Sequence, residues 1–144
     1  MADGTGIQWT DASWNPLRAR LVTDDGLVKI GWACTKVSQG CANCYAAAVN
    51  KRLGTGLDYT VGAMEQVGLF LNEKQLLEPL KWKRPRRIFL SSMTDVALAT
   101  DEQLDLMFAV MALTPQHTYQ VLTKRPERLR AYLRGILDDD DDQG

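Results

Sequence analysis

Histidine, cysteine and long apolar runs are all scarce in this 144-residue chain. There is one histidine, His117, so a metal site would have to rest mainly on other ligands. No stretch approaches the roughly 20 consecutive apolar residues of a membrane-spanning helix. Residues Met1 to Thr10 are polar and contain no apolar signal core. These absences predict a cytoplasmic protein with no membrane partner, in a compartment where thiols stay reduced. The three cysteines, Cys34, Cys41 and Cys44, lie within eleven residues. An odd, clustered set does not make a disulfide framework. No internal repeat or long linker divides the chain, and its 45% hydrophobic and 24% charged composition is that of one globular domain.

Charge is distributed unevenly around a net of −1. Five consecutive aspartates, Asp138 to Asp142, stand near the end. Residues 138–144 therefore read as an acidic disordered tail behind a domain of residues 1–137. Without the tail, 17 basic residues face 13 acidic ones. The bases gather in two runs: Lys81, Lys83, Arg84, Arg86 and Arg87, then Lys124, Arg125, Arg128, Arg130 and Arg134. Such runs form either solvated faces or phosphate-binding surfaces.

Residues 1–33 read as loop-rich, apart from a short strand over Leu27 to Trp32. A helix follows Cys41 and stops near Gly54. Val67 to Leu71 predicts a strand and Glu73 to Leu80 a brief helix. The strongest strand is Arg87 to Ser92, short and apolar after Pro85. Thr100 predicts an N-cap for a helix whose inner face is Leu104, Met107, Phe108, Met111 and Ala112. Thr118 to Leu122 is a further strand. Pro126 opens the last helix, with Leu129, Tyr132, Leu133 and Ile136 as its buried stripe. The four tryptophans, Trp9, Trp14, Trp32 and Trp82, read as packing residues, and His117 as structural. Alternating strands and helices predict an α/β fold with a parallel sheet and crossover helices. A closed barrel of eight such units takes about 250 residues, so this chain has room for about half.

The cysteine segment runs C-x6-C-x2-C, with Gly40 allowing a tight turn before Cys41. Thiols separated by two residues can bite one metal or one cluster. At the N-terminus of the following helix, the dipole favours thiolate. Three thiolates would leave one iron of a four-iron cluster open to a small molecule. Zinc is the inorganic alternative, but a closed site needs a fourth ligand. His117 begins a strand, whereas the cysteine loop follows a strand's end, so the two should not meet. Three unliganded buried thiols are the plain alternative.

Two further polar segments follow strands: Ser91-Ser92-Met93-Thr94-Asp95 and Thr123-Lys124-Arg125-Pro126. Parallel α/β folds bind ligands at such strand ends. Ser92, Thr94 and Thr123 offer hydroxyls, Asp95 an acceptor for an amine or ribose hydroxyl, and Lys124 a point charge for carboxylate or phosphate. Equally, Asp95 could fix a turn, and Lys124 and Arg125 could be surface charges.

Ile7-Gln-Trp-Thr-Asp-Ala-Ser-Trp-Asn-Pro16, the cysteine segment, Pro79-Leu-Lys-Trp82, Ser92-Met-Thr-Asp95 and Gln120-Val-Leu-Thr-Lys-Arg-Pro-Glu-Arg128 together resemble a phage-associated three-cysteine-motif family of undefined function. That family is similar to the radical S-adenosylmethionine proteins near spore photoproduct lyase. The shared places are the loop ending Cys44-Tyr45, the pair Thr94-Asp95 and the pair Thr123-Lys124. The resemblance implies a partial (β/α) barrel and a [4Fe–4S] cluster on Cys34, Cys41 and Cys44. It also implies S-adenosylmethionine chelating the open iron and a deoxyadenosyl radical formed on reduction. Three functions compete: a radical S-adenosylmethionine enzyme acting on nucleic acid, a non-catalytic phage module binding a protein partner or itself through an exposed sheet edge, and a zinc-stabilised nucleic-acid-binding module using the basic runs.

Overall fold

The computed structural model describes residues 10–36 and 44–142. Trp9, Gly40, Cys41 and residues 143–144 lie outside the described residues. The chain is α/β. In order it forms β1 (Ala12–Trp14), β2 (Leu17–Val22), β3 (Val28–Gly31), α1 (Tyr45–Leu53), α2 (Val61–Glu65), β4 (Val67–Leu71), α3 (Glu73–Leu76), β5 (Arg87–Leu90), α4 (Asp101–Leu113), β6 (Thr118–Val121) and α5 (Pro126–Asp142). Single 3₁₀ turns at Glu78–Lys81 and Val96–Leu98 lead into and out of the β5 region.

Three strands make the expected parallel sheet, in the order β1-β5-β6. Ile88 of β5 pairs with Ala12 on one side and Tyr119 on the other. The sheet is open among the described residues. Its core face carries Ala12, Trp14, Ile88 and Leu90, which pack on Val96, Leu104, Met107 and Val110. Burying each large aliphatic side chain here contributes about 1.5–3 kcal/mol. The Trp14 indole N–H, fully buried, donates to Gln75 O at 2.7 Å.

The loop-rich reading of residues 1–33 needs correction. Two strands, β1 and β2, occupy much of it. β1 has three residues, too few for a periodic signal. β2, Leu-Arg-Ala-Arg-Leu-Val, does alternate. Leu17, Ala19 and Leu21 point inward, with Arg18, Arg20 and Val22 outward. β2 is the centre of a second, antiparallel sheet, β3-β2-β4. A parallel sheet was the only sheet expected.

Thr100 caps α4 as expected, in a full capping box with Gln103. The inner face of α4 is Leu104, Met107 and Val110, with Phe108 and Met111 half-buried and Ala112 exposed. In α5, Tyr132 is buried and Leu129 half-buried. Leu133 and Ile136 remain 39% and 37% exposed, so the predicted stripe is covered only in part. The helix continues to Asp142, past the boundary expected at residue 137. No helix among the described residues is long and apolar enough to cross a membrane.

Candidate functional site

A cavity of about 390 Å³ opens at the carboxyl ends of β5 and β6. Cys34, Cys44, Ser91, Thr94, Asp95 and Lys124 are among its lining residues. The structure therefore brings together two of the expected thiols and both strand-end segments. Cys41 falls outside the described residues. Among the described residues no three His, Cys, Asp or Glu side chains are grouped as a metal site.

The thiols reach the cavity through a second, smaller core. Ala46, Ala47, Tyr59 and Met93 form it, and Trp32, Cys34, Cys44 and Val49 pack against it. Cys44 is the N-cap residue of α1, and Cys34 lies three residues beyond β3. The two ends are tied by Asn50, which is fully buried. Its Oδ1 accepts from Trp32 N (2.9 Å) and Thr55 N (3.1 Å). Its Nδ2 donates to Thr55 Oγ1 (2.9 Å) and Leu57 O (3.0 Å). All its amide capacity is used. Glycine is required beside it. A Cβ on Gly31 would sit 2.4 Å from Thr55 N, and one on Gly54 would sit 2.1 Å from Asn50 Oδ1.

Cys34 and Cys44 are free thiols. Burial pushes the Cys34 thiol up, partly offset by the Asp95 backbone N–H and the Arg125 guanidinium. Tyr59 is buried, and its hydroxyl donates to Met93 O at 2.5 Å. Burial, then the neighbouring Cys34 and Cys44, hold that phenol well above its ordinary range.

Asp95 organises the floor of the site. Oδ1 accepts from Ala97 N (3.0 Å) and Thr123 Oγ1 (2.6 Å). Oδ2 accepts from Lys124 N (2.9 Å) and Arg125 Nη1 (2.9 Å). The carboxylate is thus saturated by protein donors, which makes Asp95 a turn-fixing residue. Arg125 extends the knot by donating through Nη2 to Thr35 O (2.8 Å) and Thr35 Oγ1. It ties the β6 loop to the residue after Cys34. Thr123 Oγ1 accepts in turn from Arg125 N at 2.9 Å. Ser92 Oγ is engaged by Asn15 Nδ2 at 3.0 Å, while Asn15 Oδ1 accepts from Met93 N at 3.1 Å.

Among the predicted binding residues, Thr94 and Lys124 are the two left available. Thr94 is 3% exposed and its hydroxyl has no partner among the described residues. Lys124 is exposed on the rim, with no ion-pair partner among the described residues. Ser91, which opens the strand-end segment but was given no binding role from the sequence, joins them. It is 7% exposed, its hydroxyl is unpartnered among the described residues, and its φ of 59° is left-handed. Buried hydroxyls without partners are costly unless something else satisfies them. A strained residue at a strand end is a recurrent mark of a functional site. Nothing in the local sequence distinguishes Ser91, Tyr59 or Asn50. Arg125 stood in a basic run and could have been matched to Asp95 only by knowing the strand order.

His117 stands at the opposite end of the sheet, at the start of β6. Its Nδ1 accepts from Arg86 N (3.2 Å), so Nε2 carries the hydrogen and donates to Pro79 O (3.1 Å). Both nitrogens are engaged away from the thiols, as its structural reading expected.

No curated protein and no solved structure matches the chain. A family model does match it, over residues 4–139, and the chain belongs to that family, described as "Protein of unknown function (DUF5131)".

Proposed function

We propose that the chain is an iron–sulfur protein of the radical S-adenosylmethionine type, with its fold the first half of such a barrel. The observation that carries the reading is one cavity where free thiols and two unpartnered buried hydroxyls meet at the ends of parallel strands. The donor set suits it. Thiolates are the preferred ligands of iron–sulfur clusters, and Cys34, Cys41 and Cys44 would hold one. A cavity of about 390 Å³ has the size of a small-molecule site. When bound, the cluster would supply the electron that reductively cleaves the sulfonium of S-adenosylmethionine.

The chain's own residues have separable tasks. Ser91 and Thr94 offer hydroxyls to a polar cofactor, and Lys124 offers a cation to its carboxylate. The Asp95–Arg125 knot holds the two strand-end loops and Thr35 in fixed relation. Tyr59, Met93 and Ala46 exclude water behind the thiols. The phage association and a nucleic-acid substrate belong to this reading as well.

The test is reduction of anaerobically reconstituted protein in the presence of S-adenosylmethionine. Release of 5′-deoxyadenosine from wild type, and its loss in Cys34→Ala, is the expected result. Protein that takes up no iron overturns the reading. A second reading, a non-catalytic partner-binding module, draws on β3. It is an edge strand whose Val28 and Ile30 are 57% and 41% exposed. Concentration-dependent self-association on sedimentation would favour it.

A further inference from the structure

The basic segment Lys81-Trp-Lys-Arg-Pro-Arg-Arg87 takes no part in the cavity. The other basic run also holds exposed cations, Lys124, Arg130 and Arg134. There, Arg125 is paired with Asp95 and Arg128 with Asp101. Here Arg87 is paired, with exposed Asp11 at 3.2 Å. Lys81, Lys83 and Arg84 are exposed and have no carboxylate partner among the described residues.

The segment is also held in a fixed shape. Trp82 packs against the main core. Its N–H donates to Pro79 O at 3.3 Å, and its carbonyl accepts from Gln116 Nε2 at 3.4 Å. The Arg86 guanidinium lies 4.8 Å from the indole centroid. His117 meets the same indole edge-on at 6.2 Å, while accepting from Arg86 N and donating to Pro79 O. Gathering like charges on a rigid frame costs stability through repulsion, and an anionic partner reverses that cost. With Arg86 and His117 against its ring, Trp82 is occupied and is no stacking platform for bases. The contacts on offer are cations for phosphates.

We infer that the Lys81–Arg87 segment docks the phosphate backbone of duplex DNA, without reading its sequence. A duplex presents one charge per roughly 1.7 Å of axis, a dense target for several fixed cations. The segment precedes β5, so it lies at the amino end of the parallel sheet, whereas the cavity lies at the carboxyl end. A four-residue strand separates them, about 13 Å of extended chain. The docking surface therefore stands independently of the cluster reading.

The test is fluorescence anisotropy of a labelled duplex of about 20 base pairs over a salt series. Wild type should bind with a steep log–log salt slope. The variant Lys81→Gln/Lys83→Gln/Arg84→Gln should bind at least about tenfold more weakly at low salt, with a slope shallower by about 2 to 3. The charge-keeping variant Lys81→Arg/Lys83→Arg/Arg84→Lys should bind as wild type does, which separates charge from folding. Any of three results overturns the inference: no duplex binding at low salt, undiminished binding by the neutralised variant, or tighter binding of a single strand of equal length.

Discussion

Ser91 carries two penalties in the unliganded chain. Its left-handed backbone, at φ 59°, costs an L residue about 1–2 kcal/mol, and its buried hydroxyl has no partner among the described residues. Ser91→Gly removes both. It should raise stability to urea by about 1 kcal/mol and weaken S-adenosylmethionine binding by reconstituted protein several-fold in calorimetry. A variant that is less stable and binds equally well would make Ser91 an ordinary structural residue. Residue roles were only partly legible in the sequence. The strand-end position of Asp95 could be read from Ile88-Phe89-Leu90 before it. That its four acceptor sites are filled by Ala97, Thr123, Lys124 and Arg125 could not. Ala97 belongs to Asp95's own turn, but the other three come from a neighbouring strand's loop, and sequence spacing carries no information about which loops meet.

The elements with local signals were legible. Thr100 with Gln103, Pro126 after β6 and Gly54 after α1 mark helix ends through capping, fixed φ and close approach. The second sheet was not, because its register depends on β2 pairing with β4 across 44 intervening residues. Asn50 belongs to this scale, since it joins the end of β3 to α1 and to the turn at Thr55. Asn50→Ala leaves Trp32 N and Thr55 N unsatisfied. At about 1–3 kcal/mol for each buried orphan, the variant should lose on the order of 3 kcal/mol of stability to urea. It should also load less iron, because Cys34 and Cys44 approach the cavity from the two elements that Asn50 ties. A loss of stability with full iron loading would uncouple the clamp from the site.

At the scale of the molecule, buried acids that ionise late set the alkaline limit. Burial raises the Cys34 thiol and the phenols of Tyr59, Tyr119 and Tyr132, the last also through its bond to Asp105. In the unfolded chain cysteine ionises near 9.0 and tyrosine near 10.0. Each folded value is higher, so their contribution is complete below about pH 9 and is lost as pH rises through the folded values. The urea midpoint of metal-free protein should therefore fall between about pH 8 and pH 11, and Tyr59→Phe should flatten that fall. An alkaline limb unchanged by Tyr59→Phe would show that this phenol does not contribute.

The parallel sheet has a different surface at each end: thiols, unpartnered hydroxyls and Lys124 at the carboxyl ends of its strands, and exposed cations at the amino ends. The central claim concerns the first of these. Iron per chain after anaerobic reconstitution tests it most directly, in wild type and in Cys34→Ala, Cys41→Ala and Cys44→Ala. The expected result is a brown wild-type protein with about four irons, as a [4Fe–4S] cluster requires, and little iron in each single variant. A colourless wild-type protein, or full iron retention in all three variants, would contradict it.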